Sequence, residues 1–200
     1  IDHGRFDETL GGMEGFLALS DRLRDAGLGL ILDIVPNHMA SDPENPWWRD
    51  VLENGRKSRR AGWFDIDWDA PSLQGKVLAP FLAKPYGDAL AAGDIRLVHD
   101  TAAGLFLSVH GTVYPLAPET VPPGEPDAAV AAHDPARPDG RDRLHALLER
   151  QHYRLAWWRC AAEIINWRRF FEVAGLIGVR VERDDVFEAV HGLVLRLYAE

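Results

Sequence analysis

Two hydrophobic patterns of different period open the chain. Residues 13–26 place apolar side chains at helical spacing, and Gly27 ends that pattern, as glycine does just past a helix. Residues 28–35 form a short, nearly continuous apolar run, which Pro36 closes. Such a run after a helix is typical of a parallel strand that is buried on both faces. We therefore predict a helix followed by a strand, as in an α/β protein.

The pattern becomes irregular from about residue 41. Residues 42–124 are rich in Trp, Pro, Gly and Asp and contain two strand candidates, at 95–98 and 105–109. Seven prolines fall within 115–140, and this composition predicts a long mobile loop.

Regular periodicity returns in the last third of the chain. Residues 143–165 carry apolar side chains on one helical face, and 176–181 could form a short strand. Residues 185–199 again predict a helix, which Asp185 and Glu188 begin in a capping-box-like arrangement. Elements of the kind found in barrels therefore flank an irregular insertion.

Length, charge and cysteine content narrow the class of protein. The chain has 200 residues, fewer than the roughly 250 of a complete (β/α)8 barrel. A net charge of −9 argues against nucleic acid as a partner, because an acidic surface repels phosphate backbones. The single cysteine, Cys160, cannot form an internal disulfide and suits a reducing cytoplasm.

The chain also lacks signals for membrane insertion and secretion. No apolar run reaches the roughly 18 residues of a membrane span, and no secretory signal opens the sequence. The first residue is Ile1 rather than methionine, and the last residues fall inside a helical pattern without a stop signal. We expect the chain to be an excerpt of a longer, cytoplasmic protein.

Three polar residues accompany the apolar run at 28–35. Asp33 interrupts it, and a buried carboxylate must be paired or hydrogen-bonded. Asn37 and His38 follow directly, at the strand end that faces the active site in a (β/α)8 barrel. These groups suit sugar hydroxyls, because Asp accepts hydrogen bonds and His can both donate and accept. The alternative is a structural cluster in which Asp33 holds a loop and His38 fills a satisfied niche.

The run LILDIVPNH at 30–38 resembles the first signature region of the α-amylase superfamily, glycoside hydrolase family 13. The resemblance implies that Asp33 orders the active site, that His38 binds the sugar in the −1 subsite, and that Asn37 supports the site. In amylases this asparagine often supports a calcium ion, but no cluster of oxygen ligands stands out nearby. We therefore expect no metal and no cofactor.

The same resemblance implies the fold class and the division of the chain into three segments. The signature region ends the third barrel strand, so we expect an α/β protein, a partial (β/α)8 TIM barrel with a large mixed, mostly helical insertion after that strand. Residues 1–40 would be a barrel segment, 41–180 an inserted subdomain, and 181–200 a barrel helix leading to the next strand.

Further stretches across nearly the whole chain resemble one branch of the superfamily, the maltooligosyl trehalose synthases. They include NPWW at 45–48, WFDIDW at 63–68, PYG at 85–87, QHYRL at 151–155 and INWRRFF at 165–171. The chain departs from that branch at Ala174 and Gly175, where a polar residue is common, so a substrate contact from that turn is not expected.

The resemblance implies an intramolecular transglucosylation. The reducing-end α-1,4 bond of a maltooligosaccharide becomes an α,α-1,1 bond with retention, which needs a nucleophile and an acid/base carboxylate about 5 Å apart. The nucleophile is expected past Glu200, and the closest imitation here is GVRVER at 178–183, where a structural role for Arg180 and Glu182 is the preferred interpretation. This chain alone is expected to be inactive, and the resemblance implies maltooligosyl trehalose trehalohydrolase as a pathway partner.

Other candidates have two interpretations each. Trp47 could stack on a glucose ring or belong to the core of the insertion. Arg168 and Arg169 could bind hydroxyls at the reducing-end subsites or hold acidic neighbours. The insertion at 41–180 could exclude water from the glycosyl intermediate. Two rival functions remain open: another enzyme of the superfamily, such as an α-glucanotransferase or amylase, and a non-catalytic carbohydrate-binding module.

Overall fold

The computed structural model of the protein describes residues 3–199, which form seven α-helices and eight short strands. The helices are α1 (Gly12–Asp25), α2 (Pro46–Asn54), α3 (Tyr86–Ala92), α4 (Pro126–Ala132), α5 (Pro138–Leu148), α6 (Ala161–Ile164) and α7 (Asp184–Ala199). The strands are β1 (His38–Ala40), β2 (Val77–Leu82), β3 (Ile95–Asp100), β4 (Gly104–Val109), β5 (Thr112–Tyr114), β6 (Tyr153–Trp157), β7 (Arg169–Phe170) and β8 (Val173–Gly178).

These strands form three small sheets. β1, β8 and β7 are antiparallel neighbours in that order, and β3, β4 and β5 form an antiparallel meander. β2 and β6 form a parallel pair, in which Val77 lies opposite Tyr153. Parallel neighbours need a long crossover connection, and residues 83–152 supply it with α3, the meander, α4 and α5.

An aromatic cluster joins α2 to β2. Trp48 is 2% exposed and meets two rings edge-on, Phe64 at 5.2 Å and Trp167 at 5.9 Å between ring centroids. Such edge contacts add roughly 0.5–1.5 kcal/mol each beyond the burial of area. The indole N–H of Trp167 donates to the carbonyl oxygen of Leu78 at 2.8 Å, so this ring is also bonded to β2.

Asn45 begins α2 and connects it to β1. Its Oδ1 accepts a hydrogen bond from the backbone N–H of Trp47 at 3.0 Å, and its Nδ2 donates to the carbonyl oxygen of Ala40 at 2.8 Å. Pro46 occupies the first helical position, where a missing N–H costs nothing. The strand that carries His38 is thereby held against α2.

Several predicted elements are confirmed. The helices expected at 13–26 and 185–199 are α1 and α7, and the strand candidates at 95–98 and 105–109 are β3 and β4. The short strand expected at 176–181 exists but lies earlier, as β8.

The prediction of a strand at 28–35 is wrong, because these residues, which all lie within the described range, form no strand. Residues 29–36 form no backbone ladder, and their apolar side chains stay exposed, with Ile31 at 96% and Val35 at 52%. A parallel strand needs a neighbour for its backbone N–H and C=O groups. Within 3–199 no other strand lies beside this segment.

Two further predictions are wrong in their secondary structure. The helix expected at 143–165 ends at Leu148, and 153–157 instead form β6, because a short apolar run fits a strand as well as a helix. The loop expected at 115–140 contains a 3-10 helix at Pro118–Thr120, α4 and the start of α5. Each of these begins with proline in its first turn, a position where proline favours a helix.

Candidate functional site

Asn37 and His38 lie side by side at the start of β1, not at the C-terminal end of a strand as the sequence predicted, because the run at 28–35 forms no strand before them. His38 is opposite Gly178 of β8, and the carbonyl oxygen of Asn37 accepts a hydrogen bond from the N–H of Val179 at 2.9 Å. The Oδ1 of Asn37 lies 2.8 Å from the Nδ1 of His38. A carboxamide oxygen only accepts, so Nδ1 carries the proton and Nε2 of the neutral ring is the acceptor.

The imidazole of His38 also stacks on an aromatic ring. Its centroid lies 4.1 Å from that of Phe170, with the planes 25° apart. Phe170 belongs to β7, which lies on the far side of β8 from β1, so two strands of one sheet fix the position of the imidazole. Nε2 is therefore presented in a defined direction, as a site for a donor such as a sugar hydroxyl requires.

Arg168 contacts the same end of β8 from the opposite edge of that strand, where its carbonyl oxygen accepts a hydrogen bond from the N–H of Gly178 at 2.7 Å. Its Nε donates to Oδ2 of Asp65 at 2.7 Å, and its Nη2 lies 3.4 Å from the carbonyl oxygen of Val179. A Cβ at Gly178 would lie 2.7 Å from the Arg168 Cζ, so any other residue at this position would displace the guanidinium. The structure therefore brings Asn37, His38 and Arg168 to one strand end, and Arg168 holds an acidic neighbour there.

Asp33 does not join this cluster. It lies in the exposed segment 29–36 and forms no hydrogen bond or ion pair with the described residues 3–199. Asp33 makes no hydrogen bond to Asn37 or His38 in residues 3–199, and the expected convergence of the three side chains stays a prediction. The role of Asp33 in ordering an active site stays a prediction.

Trp47 and Arg169 lie beside the cluster rather than in it. Trp47 is 7% exposed and meets Trp63 edge-on at 4.8 Å, with the guanidinium of Arg60 at 6.0 Å from its ring. This burial favours the core role of Trp47 over stacking on a sugar. Arg169 is half-buried on β7 opposite Ile177, and no carboxylate of residues 3–199 pairs with its guanidinium.

Glu182 has the features of a structural ion pair. Arg180 Nε donates to its Oε1 at 2.8 Å, and the Glu182 side chain is 62% exposed. The hydrogen bond from Arg180 holds the pKa of Glu182 below its usual value of 4.5. These contacts support the structural interpretation of 178–183 over a catalytic one.

Residues 3–199 contain neither a metal-binding cluster nor a membrane-spanning helix. No group of three or more His, Cys, Asp or Glu side chains there is arranged to hold a metal ion. No helix in the same range has the length and apolar character needed to cross a bilayer.

Asp65 and Phe170 are the cluster members whose contacts sequence reasoning missed. Both fall within stretches that resemble the synthases, WFDIDW and INWRRFF, but a stretch alone does not show what a residue touches. Asp65 pairs with a residue 103 positions later, and no local pattern indicates such a partner.

Comparisons with known proteins find relatives over most of the chain. The family model for the alpha amylase catalytic domain matches residues 1–94. A Mycobacterium tuberculosis (strain H37Rv) protein, named provisionally as a maltooligosyl trehalose synthase, is 36% identical over 202 residues, covering 96% of this chain and 21% of that protein. The solved maltooligosyltrehalose synthase from Arthrobacter ramosus matches with a TM-score of 0.77 and 34% identity, over 100% of this chain and 23% of that chain. The resemblance to the maltooligosyl trehalose synthases is confirmed.

A second kind of relative matches a shorter stretch. The intracellular maltogenic amylase of Bacillus subtilis (strain 168) is 38% identical over 66 residues, or 33% of this chain. The matches together support an α/β fold of the amylase type. This chain spans about a fifth of the length of the curated synthases.

Proposed function

We propose that this chain is part of an enzyme that converts the reducing-end α-1,4 linkage of maltooligosaccharides into an α,α-1,1 linkage. The observation that carries the proposal is the 36% identity to the mycobacterial synthase over 96% of the chain. The conversion is a retaining intramolecular transglucosylation, an isomerisation that leaves a trehalosyl end on the same chain of glucose units.

The Asn37–His38 pair is proposed to bind the glucose ring at the bond that is broken. Asn37 fixes the tautomer of His38, so that Nε2 accepts a hydrogen bond from a sugar hydroxyl. Arg168 is proposed to support the strand edge through Asp65, and Arg169 offers a guanidinium without a carboxylate partner in residues 3–199 for hydroxyls at the reducing end.

The reaction needs two carboxylates that we place outside this chain. A retaining mechanism uses a nucleophile and an acid/base about 5 Å apart. Glu182, the closest candidate by local sequence, is bonded to Arg180 and largely exposed. We therefore propose that residues 1–200 alone are inactive, and that the insertion at 41–180 helps to exclude water from the glycosyl intermediate.

Incubation of the intact protein with maltopentaose tests the proposal. A transglucosylase of this kind removes the reducing end and leaves the mass of the sugar unchanged, so reducing-sugar assay and mass spectrometry together identify it. Shorter maltodextrins with conserved reducing ends would instead indicate an α-glucanotransferase, and an increase in reducing ends would indicate an amylase. The amylase alternative has support from the match to the maltogenic amylase over 66 residues. Binding of maltopentaose without any product would indicate a carbohydrate-binding module.

His38→Ala tests the role of the imidazole. Loss of one hydrogen bond worth about 1.4 kcal/mol would lower kcat/KM about tenfold. His133→Ala is a matched control, because the imidazole of His133 is hydrogen-bonded to the carbonyl oxygen of Ala129 at the end of its own helix, away from the proposed site. Equal activity of the two variants would remove His38 from the proposed site.

Two further expectations accompany this proposal. A trehalosyl product calls for a hydrolase that releases trehalose, which is the role expected of maltooligosyl trehalose trehalohydrolase. The reaction is proposed to occur in the cytoplasm, where maltodextrins derived from glycogen are the proposed substrates.

A further inference from the structure

A cavity of about 370 Å³ opens beside β6. Its lining comes from the start of α3, the end of α5 and the successive residues of β6. The volume falls at the lower end of the roughly 300–1,000 Å³ of small-molecule sites. The residues of the Asn37–His38 cluster are not among those that line it.

Part of the cavity lining is apolar. Leu148, Leu155, Ala156 and Pro85 contribute aliphatic groups, and Trp157 is the aromatic residue of this part. Apolar and aromatic lining of this kind suits the C–H face of a pyranose ring, which carries few polar groups.

The rest of the lining is polar. Lys76 Nζ donates to the carbonyl oxygen of Glu149 at 2.6 Å and lies 3.7 Å from its Oε2, and Arg154 Nη2 donates to the same Oε2 at 3.2 Å. The hydroxyl of Tyr86 is hydrogen-bonded to Nδ1 of His145 at 2.9 Å. Ammonium, guanidinium, hydroxyl, imidazole and carboxylate groups therefore line the cavity together, and each has hydrogen-bonding capacity beyond these contacts.

These polar groups share a partly dehydrated environment. Burial, with a contribution from the charge of Glu149, raises the pKa of Tyr86 to about 12, so its hydroxyl keeps its proton at neutral pH. Burial also lowers the pKa of Lys76, although the charge of Glu149 opposes that effect. Hydrogen bonds formed in such an environment are stronger than those formed in open water.

We propose that this cavity binds a glucosyl unit of an α-glucan chain. A sugar ring is neutral, offers hydroxyls that donate and accept, and has one apolar face, and the lining of the cavity provides the complement of each property. An anionic ligand fits less well, because Glu149 already neutralises part of the positive charge of Lys76 and Arg154. The choice of an α-glucan among sugars rests on the proposed function; the choice of a sugar rests on the cavity.

Cys160 reports on occupancy of the cavity. It is half-buried, lines the cavity, and is the only cysteine among the 200 residues. Alkylation of Cys160 by iodoacetamide in the intact protein can be followed by mass spectrometry of the peptide that contains it. We expect maltotriose to slow this alkylation at least about fivefold and in a saturable manner, as binding in the millimolar range would. myo-Inositol, a polyol without a glycosidic bond, should have little effect.

Two variants test the polar side. Tyr86→Phe removes one hydroxyl and should weaken the protection by maltotriose several-fold, and Glu149→Ala should abolish it. Glu188→Ala, an exposed carboxylate on α7, is the matched control and should leave protection unchanged.

Three results would overturn the proposal. They are an alkylation rate that maltotriose does not change, a Cys160 that does not react even without sugar, and equal protection in Glu149→Ala and Glu188→Ala. Product analysis with maltopentaose on the same samples separates this inference from the proposed function. Protection without any trehalosyl product would refute only the proposed function, and product without protection would refute only the cavity site.

Discussion

Replacement of Asn166 tests how the segments around β2 are held together. Asn166 is 5% exposed, and its Nδ2 donates to the carbonyl oxygens of Asp67 at 2.9 Å and Lys76 at 3.0 Å. Its Oδ1 accepts from the backbone N–H of Leu78 at 3.0 Å, and Leu78 is fully buried. Asn166→Ala removes three hydrogen bonds, each worth about 0.5–1.5 kcal/mol net, and leaves a buried N–H without an acceptor. We expect a loss of about 3 kcal/mol in the free energy of unfolding, in the upper part of the range for point substitutions.

Urea unfolding followed by tryptophan fluorescence measures this loss. Asn54→Ala is the matched control, because Asn54 is half-buried and donates two hydrogen bonds to Asp50 within α2. We expect the control to cost under about 1 kcal/mol, as for other substitutions near the surface. A cost for Asn166→Ala no greater than for Asn54→Ala would refute the reasoning, because burial and bond count would then not decide the effect.

Three further predictions concern stability. Gln151→Ala should cost about 2–4 kcal/mol in urea unfolding, because its 1%-exposed carboxamide makes three hydrogen bonds. Gly140→Ala should destabilise α5 by about 1–3 kcal/mol, since its Cβ would lie 2.2 Å from a backbone carbonyl oxygen. Gly192→Ala is the control: this position lies in open space on α7, and the substitution should stabilise the protein by up to about 1 kcal/mol. Equal melting temperatures of the two variants would contradict this prediction. Burial raises the pKa of Glu149, but the charges of Lys76 and Arg154 outweigh it and leave the pKa below 4.5. The charged carboxylate therefore stabilises the fold above that pH, and this contribution to the free energy of unfolding is lost as pH falls below it. Between about pH 5 and pH 3, the Glu149→Gln variant should therefore lose less of its free energy of unfolding than the unaltered protein.

The elements that sequence predicted correctly depend on local signals. α1 and α7 have helical periodicity over 14 and 16 residues, long enough for the pattern to outweigh chance. The strand expected at 28–35 depends on neighbours as well as on its own residues, and periodicity says nothing about neighbours. β6 was predicted as part of a helix because its short apolar run does not by itself indicate a strand. What makes it a strand is pairing with β2, which begins 76 positions earlier in the chain and leaves no local signal.

The candidate site was predictable only where its residues are adjacent in sequence. Asn37 and His38 are consecutive, so their proximity follows from the chain itself. Arg168 reaches Asp65 and the Gly178 backbone through folding alone, across 103 and 10 positions. The sequence therefore indicated the kinds of side chain at the site but not which of them form pairs.

The register between β1 and β8 links the predicted barrel segment to the predicted insertion. His38 belongs to 1–40 and Gly178 to 41–180, yet they are direct partners in one antiparallel sheet. A slip of β8 by one residue would place Ile177 or Val179 opposite His38 and reverse which side chains face each side of the sheet. Either residue carries a Cβ where Gly178 has none, and the guanidinium of Arg168 occupies the space that a Cβ at this position would need. A slip would therefore displace the guanidinium of Arg168 from its present position, in which it donates to Asp65 at 2.7 Å, so the Arg168–Asp65 hydrogen bond is one of the contacts that favour the observed register.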